Sequence, residues 1–248
     1  MKALAVHNLK GGVGKSAAAV NLAYLAAAND VPTLLWDLDP QGAASWYFRV
    51  QPEDLKTKSV LSGQTPVGRL VKPSPYRNLD LIPADFTYRY LDIMLKKVEP
   101  PRETVSRLLK PFSEQYALAV LDCPPSLSHL ADNVFNAVDM ILVPVVPTFL
   151  SLRALEQVQD YLRAEKLDPK KARPFYSMVD RRRSLHRELT EHRPPAMQRG
   201  FQASIPYSSM VERMGQHRAP MAAYAPSDDP ALLAYAELWL EIKAALKL

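Results

Sequence analysis

The sequence predicts an α/β fold: a mostly parallel, twisted sheet with helices on both faces, in a single domain over residues 1–248. Short apolar segments alternate with helix-forming segments along the chain, which is the order of parallel βα units. Three of only 8 glycines, at positions 11, 12 and 14, fall between the first such strand and the first helix. The length of 248 residues suits one domain of this class, and no linker or repeat divides it.

Each element follows from its local composition. Strands are expected where short apolar runs occur, near residues 2–9, 33–36, 79–83, 117–121, 140–146, 174–179 and 201–205. Helices are expected near residues 16–29, 87–98, 152–165, 184–192 and 230–246. The pair Pro100-Pro101 ends the second of these helices, and a further helix then runs to about Phe112.

Cysteine content and hydropathy exclude several classes of protein. The single cysteine, Cys123, rules out a disulfide framework, a four-thiolate zinc site and an iron–sulfur cluster held by this chain alone. Its neighbours supply no histidine or lysine to activate it, so we expect a buried, inert thiol. No apolar run reaches 18 residues and no leader precedes the first strand, so a cytoplasmic protein is expected.

The net charge of +5 is unevenly distributed. Residues 1–150 hold 15 basic and 14 acidic side chains, whereas residues 151–220 hold 14 and 8. Residues 221–248 hold 2 basic and 4 acidic side chains. The basic excess therefore lies in one part of the C-terminal half, which indicates a polyanionic partner or an ordinary solvated face.

The segment Asn8–Ser16, Asn-Leu-Lys-Gly-Gly-Val-Gly-Lys-Ser, joins the first strand to the first helix. Backbone N–H groups of a glycine-rich turn can surround phosphate oxygens where no Cβ intrudes, and the helix N-terminus adds its positive dipole end. Lys15 can then reach the β- and γ-phosphates, and the Ser16 hydroxyl can bind Mg²⁺. The usual glycine six residues before the lysine is Leu9 here, so only a deviant form of the phosphate loop fits, Lys-Gly-Gly-x-Gly-Lys-Ser.

Acidic residues follow two of the predicted strands. Asp37 and Asp39, in Asp-Leu-Asp-Pro-Gln-Gly, follow the second strand, and Asp122 ends the strand over 117–121 ahead of Cys-Pro-Pro-Ser. The carboxyl ends of parallel strands form the edge where such sheets bind ligands. One carboxylate of the first pair can orient water or the metal shell while the other holds the loop.

These three segments resemble the deviant Walker A motif, first switch, and Walker B strand with second switch of the ParA/MinD ATPases. The resemblance covers essentially the whole chain. It implies a P-loop NTPase fold of the SIMIBI type with ATP and Mg²⁺ as cofactors. The nucleotide-binding residues that it implies are Lys10, Gly11, Gly12, Val13, Gly14, Lys15, Ser16, Ala17 and, beside the adenine, Pro206.

The same resemblance implies catalytic roles. Lys10 would cross to the nucleotide of the partner subunit in an ATP-sandwich homodimer and stabilise transition-state charge there. Lys15 and Asp39 complete the implied catalytic group, with Asp39 positioning the attacking water. The implied metal residues are Ser16, Asp39 and Asp122. Leu9 and Ala17 depart from the glutamine and threonine usual in the family, which leaves ATP binding intact and alters turnover at most.

Within the family, the sequence is most similar to short chromosomal-type or orphan ParA proteins. Such proteins bind DNA without sequence preference, release it on slow ATP hydrolysis stimulated by a ParB-like or other adaptor, and so position a cargo on the nucleoid. The basic residues expected to contact DNA are Arg181, Arg182, Arg183, Arg213 and Arg218.

Two alternatives remain open at the level of sequence. One is a MinD-like membrane-associated ATPase, which would use the amphipathic tail 240–248. We instead expect this tail to pack on the sheet, and no membrane partner. The other alternative is an ATP-dependent metabolic ligase of the same fold, for which no sequence feature argues.

Overall fold

The computed structural model describes residues 1–52, 57–98, 100 and 102–248. Within these ranges the strands are β1 Lys2–Val6, β2 Thr33–Asp37, β3 Lys72–Pro73, β4 Leu79–Ile82, β5 Leu118–Asp122, β6 Met140–Val145, β7 Ala172–Val179 and β8 Ser204–Pro206. They form one sheet in the order β3-β4-β2-β5-β1-β6-β7-β8. All neighbouring pairs are parallel except β3 and β4. The predicted, mostly parallel α/β sheet is confirmed.

Helices cover both faces of this sheet. They are α1 Lys15–Ala28, α2 Ala43–Tyr47, α3 Thr57–Leu61, α4 Leu91–Leu95, α5 Thr104–Leu109, α6 His129–Ala137, α7 Phe149–Ala164, α8 Ser184–Glu191, α9 Ser209–Glu212, α10 Met214–His217 and α11 Pro230–Leu246. Alternate residues of β1 point to opposite faces. Leu4 joins the apolar layer under α1 and α11, whereas Ala5 joins the layer under α6 and α7.

The strand register places the acidic residues side by side. β1 lies between β5 and β6, and Val6 is aligned with Asp122. Asp37 is aligned with the same Asp122 from the other side of β5. Because parallel strands end at one edge of the sheet, the loops that follow β1, β2 and β5 meet there.

The helix at the C-terminus begins at an Asp229 cap, whose side chain accepts hydrogen bonds from the N–H groups of Ala231 and Leu232. Within the tail over 240–248, Ile242 and Leu246 are buried in the layer shared with α1. The tail therefore packs on the sheet, as predicted. In the described ranges, no helix is long and apolar enough to cross a membrane.

Several boundaries differ from the prediction. The first strand ends at Val6 rather than near residue 9, because the Asn8 side chain accepts the Lys10 N–H and turns the backbone. The helix predicted over 87–98 is a 3-10 turn, Phe86–Tyr90, followed by α4. Of the predicted break at Pro100-Pro101, Pro101 lies outside the described residues.

Helix α6 was not predicted, although its apolar residues recur at helical spacing. Leu130 and Val134 are buried at i and i+4 on one face of the helix, and Ala131 and Phe135 have the same spacing beside them. The two short helices α9 and α10 were also missed, because four residues are too few to show a period.

Candidate functional site

The loop between β1 and α1 has a backbone that requires glycine. Gly12 and Gly14 have φ angles of +69° and +88°, in the left-handed region that side chains rarely adopt. A Cβ on Gly14 would also lie 3.0 Å from the Ser177 hydroxyl oxygen. Around Gly11 nothing lies within 4 Å of such a Cβ, and its φ is not positive. Two of the three clustered glycines are therefore required by conformation.

Two side chains hold the loop in place, one that follows β1 and one on β7. Buried Asn8 donates from Nδ2 to the Pro144 carbonyl at 2.7 Å, while its Oδ1 accepts the Lys10 N–H at 2.9 Å. Ser177, on β7, donates its hydroxyl to the Val13 carbonyl at 2.9 Å. The loop is thus fixed at its start and at its end before any ligand arrives.

The two lysines of the loop have opposite environments. Lys15 is buried, and its Nζ donates to the Lys10 carbonyl at 3.3 Å, whereas the Lys10 side chain is exposed at the sheet edge. Burial lowers the pKa of Lys15, and the nearby carboxylates of Asp122 and Asp39 act in the opposite direction. An anion beside Lys15 would stabilise its charged form further.

Asp122 ends β5 with a fully buried carboxylate. Neither oxygen has a hydrogen-bond partner of ordinary geometry among the described residues. Burial raises its pKa well above the usual value, with Asp37 adding to the rise and the nearby Ser16 hydroxyl opposing it. A buried carboxylate without a partner is costly unless a cation neutralises it. The hydroxyl and carboxylate oxygens of Ser16 and Asp122 are donors that suit Mg²⁺.

Two aspartates with different surroundings lie at the first switch loop, residues 38–42: Asp37 just before it and Asp39 within it. Asp37, at its base, is buried and accepts hydrogen bonds from the Ser45 N–H at 2.8 Å and the Ser45 hydroxyl at 2.7 Å. Burial raises the pKa of Asp37 to about 6, against the effect of the Ser45 hydrogen bonds. Asp39 is half-buried, and among the hydrogen bonds of the described residues its carboxylate accepts only the Gln41 N–H, at 2.9 Å. Asp37 therefore holds the loop, and Asp39 is the one available to a ligand.

A cavity of about 210 Å³ adjoins the glycine loop. It is bounded by Gly12 and Gly14 on one side and by Pro206, at the end of β8, on the other. Predicted residues from the two ends of the sequence, the glycine loop and Pro206, thus come together. The cavity is also lined by residues that were not predicted, among them Tyr47, Ser177, Tyr207 and Tyr235.

Comparison with known proteins decides the family. A family model described as an AAA domain matches residues 1–171. The chromosome partitioning protein ParA of Caulobacter vibrioides is 30% identical over 233 residues, which span 90% of this chain and 87% of that protein. The chain belongs to the ParA/MinD family of ATPases. The sporulation initiation inhibitor protein Soj of Bacillus subtilis is 28% identical over 250 residues, 98% of either chain.

The fold of this ParA-family chain is shared with solved structures. The structure of a Cyanothece McdA variant in complex with ATP superposes with a TM-score of 0.80 at 20% identity, covering 100% of this chain and 97% of that one. At this identity the likeness concerns the fold alone.

The predicted DNA-contacting arginines of this ParA-family chain occupy two segments. Arg181, Arg182 and Arg183 are exposed between β7 and α8. Arg182 pairs with Asp180, its Nε lying 2.9 Å from Oδ1, and this contact lowers the pKa of Asp180 to about 2. Two of the three guanidinium groups in this segment, those of Arg181 and Arg183, have no salt bridge among the described residues.

The second segment contains Arg213, which is exposed, and Arg218, which is half-buried. Arg218 lies over the ring of Trp46, on α2, and donates from Nε to the Trp46 carbonyl at 3.2 Å. Arg49 donates to the neighbouring His217 carbonyl at 2.9 Å. The basic C-terminal segment is therefore attached to the helix that follows the first switch loop.

Residues that support the site were missed because the sequence does not mark the groups that they contact. Asn8 follows β1, Ser177 lies within buried β7, and Ser45 follows two alanines. A buried polar residue is informative because it requires a partner. Sequence alone does not say which group that partner is.

Proposed function

We propose that this chain is an ATP-driven switch of the ParA type, which binds Mg²⁺ and ATP between the glycine loop and the two acidic strand ends. One observation carries the proposal: Lys15 is buried beside the unpartnered Asp122, while Lys10 of the same loop is exposed at the sheet edge. We infer that Lys15 contacts a phosphate bound to its own chain and that Lys10 contacts a phosphate bound to a second subunit.

Different groups of the chain would bind the phosphates, the metal ion, the attacking water and the base. The N–H groups of the loop over 11–14 and the N-terminus of α1 would surround the phosphates, with Lys15 neutralising charge between them. Ser16 and Asp122 would hold Mg²⁺, Asp122 through water, and the ion would neutralise charge that develops on the phosphoryl group. Asp39 would orient the attacking water and contact the metal's water shell. Pro206 and the cavity of about 210 Å³ beside it would hold the base.

The exposed Lys10 supports a homodimer in the ATP state. Its ammonium has no hydrogen-bond or salt-bridge partner among the described residues, and the side chain is free to reach a second subunit. There it would stabilise the negative charge of the transition state, as an arginine finger does. The variant Lys10→Ala should bind ATP as a monomer and fail to dimerise, which sedimentation velocity with ATP would measure.

The basic segment over 151–220 supports nonspecific DNA binding by the dimer. Arginines that neutralise phosphates need no base contacts, and two dimer-related copies would double the number of contacts. Slow hydrolysis, accelerated by a ParB-like or other adaptor protein, would release monomers. The cycle would position a chromosome origin, a plasmid or a protein cluster on the nucleoid.

The test is binding to random-sequence duplex DNA across a salt series, with ATP, with ADP and without nucleotide. We expect binding with ATP only, and a steep fall in affinity with salt. Changing Arg181, Arg182 and Arg183 to glutamate should abolish binding. A matched control changes three exposed lysines of the N-terminal half to glutamate, Lys96, Lys97 and Lys110. Equal binding in all nucleotide states would refute the switch mechanism.

The MinD-like alternative has less support, because α11 buries its apolar face against α1 and β8. Sedimentation with anionic vesicles in the presence of ATP tests it. Binding to vesicles that is lost on deleting residues 240–248, together with no binding to DNA, would favour the membrane alternative. Rapid ATP turnover by a monomer that depends on a small carboxylic acid would favour the ligase alternative.

A further inference from the structure

His7 is a buried polar residue that has no place in the nucleotide site described above. It follows β1, is 1% exposed and precedes Asn8, which holds the glycine loop. Its backbone N–H donates to the Leu142 carbonyl at 3.0 Å, extending the pairing with β6. Its ring reaches the second switch loop, residues 123–128, which follows β5.

The contact with that loop is a single hydrogen bond of defined direction. His7 Nε2 lies 3.1 Å from the Ser126 carbonyl oxygen. Because a carbonyl only accepts, Nε2 must carry the hydrogen and Nδ1 must be bare in the neutral ring. Burial lowers the pKa of His7 to about 4, with Lys15 lowering it further and the Ser126 bond opposing. The ring is therefore neutral at physiological pH and present as one tautomer.

The surroundings keep the ring in this orientation. Phe135, on α6, meets it edge to face with the ring centres 5.0 Å apart. Nδ1 is buried and has no hydrogen-bond partner in the described ranges. A ring flipped about the Cβ–Cγ bond would place the carbon Cε1 at the carbonyl oxygen in place of Nε2, and the hydrogen bond would be lost. His7 can therefore donate to the Ser126 carbonyl in one orientation of its ring only.

The second switch loop is otherwise attached to β1 near its start. The Cys123 N–H donates to the Val6 carbonyl at 3.2 Å, the last backbone bond between the two segments. Within the loop, the Ser126 N–H turns back to the Pro124 carbonyl at 2.9 Å. The hydrogen bond from His7 attaches the loop to the end of β1 at a second point, Ser126, which lies beyond Pro124 and Pro125.

We propose that His7 is a positioning residue, which holds the second switch loop against β1 through the Ser126 carbonyl and so fixes its distance from Asp122 and the phosphates. The inference rests on the proposed function for its consequence in catalysis, but not for the loop contact itself. Among the described residues, the hydrogen bond of the His7 ring goes to Ser126, and none joins the ring to the glycine loop or to the proposed metal residues. Its loss should therefore lower kcat and leave the affinity for ATP unchanged.

Two substitutions separate the hydrogen bond from the packing. In His7→Gln the amide nitrogen stands at about the position of Nε2 and can donate to the carbonyl, whereas His7→Leu fills space without a donor. Hydrogen exchange of the nucleotide-free proteins is measured over residues 123–128, with α11 as the internal reference. We expect exchange about fivefold faster in His7→Leu, the equivalent of one ordinary hydrogen bond, and near-normal exchange in His7→Gln.

The unmodified chain gives a second measurement, in case His7→Leu folds poorly. Imidazole nitrogen NMR should show His7 protonated at Nε2 and bare at Nδ1 from pH 6 to 8, assigned by its absence in His7→Gln. A ring protonated at Nδ1 would overturn the inference, as would equal loop exchange in both variants. ATP binding by the unmodified chain separates this failure from that of the proposed function. If the chain does not bind ATP, the proposed function fails, while the exchange result still decides the role of His7.

Discussion

The guanidinium carbon of Arg218 lies 3.8 Å from the centre of the Trp46 ring, and the same side chain donates from Nε to the Trp46 carbonyl. Trp46 is 53% exposed and lies on α2, directly after the first switch loop. At the start of this helix, Ser45 holds Asp37 and also accepts the Ala84 N–H at 2.9 Å. Helix α2 therefore connects a nucleotide-facing loop to the basic C-terminal segment.

We predict that Arg218→Ala uncovers the indole of Trp46. An exposed cation–π contact contributes about 0.5–1 kcal/mol, so the fold should persist with a modest loss of stability. Quenching of tryptophan fluorescence by acrylamide should rise, since the other two tryptophans, Trp36 and Trp239, are buried. Arg213→Ala, which removes an exposed arginine nearby in sequence, is the matched control and should leave quenching unchanged.

We predict that Gly14→Ala is far more damaging than Gly11→Ala. The first change forces a side chain into the left-handed region and against the Ser177 hydroxyl, at a cost of about 1–3 kcal/mol. The second meets open space at a negative φ and should cost little. Chemical denaturation and equilibrium ATP binding measure both effects. Similar losses in the two variants would contradict the backbone argument.

We predict that Asp122→Asn stabilises the ligand-free protein near pH 7.5. The pKa of Asp122 is raised in the folded state, so its charged form destabilises the fold at any pH above its unfolded value. The difference between the variant and the unmodified chain should therefore shrink as the pH falls toward about 4. Urea unfolding at several pH values tests this. Mg²⁺-dependent ATP binding should weaken in the same variant, and a variant less stable than the unmodified chain at pH 7.5 would contradict the assignment.

We predict that Ser177→Ala loosens the end of the glycine loop. The loss of the bond to the Val13 carbonyl should cost about 1 kcal/mol and weaken ATP binding about fivefold. Ser204→Ala, on neighbouring β8, removes only a long contact of 3.4 Å and serves as the control. Adding Ser177→Ala to Gly14→Ala should not restore binding, because the φ of +88° remains unsuitable for alanine.

The sequence was sufficient to predict the sheet and the edge of it at which the predicted site residues meet, and the reason is physical. Apolar strand runs and a glycine cluster are local signals in the sequence. Asp37 and Asp122 were predicted to lie at the site because each follows such an apolar run. The structure adds that the two are neighbours across β2 and β5. It also separates Asp37, which Ser45 satisfies, from Asp122, which no described residue satisfies.

The supporting residues depend on pairings that are distant along the chain. Asn8 meets Pro144, Val13 meets Ser177, and Trp46 meets Arg218, at separations of more than a hundred residues. Composition and periodicity carry no information about such pairs. Arg218 illustrates the point, since the sequence predicts a DNA contact for it and gives no sign that its guanidinium lies over the Trp46 ring.

The hydrogen bond from Lys15 to the Lys10 carbonyl would couple ATP binding to the proposed association of two subunits. A phosphate that draws the Lys15 ammonium away releases the backbone of the very residue proposed to reach the second subunit. Nucleotide affinity and subunit affinity would then share one thermodynamic coupling, and each must strengthen the other by the same factor. In such a chain, raising the protein concentration alone would tighten the hold on ATP.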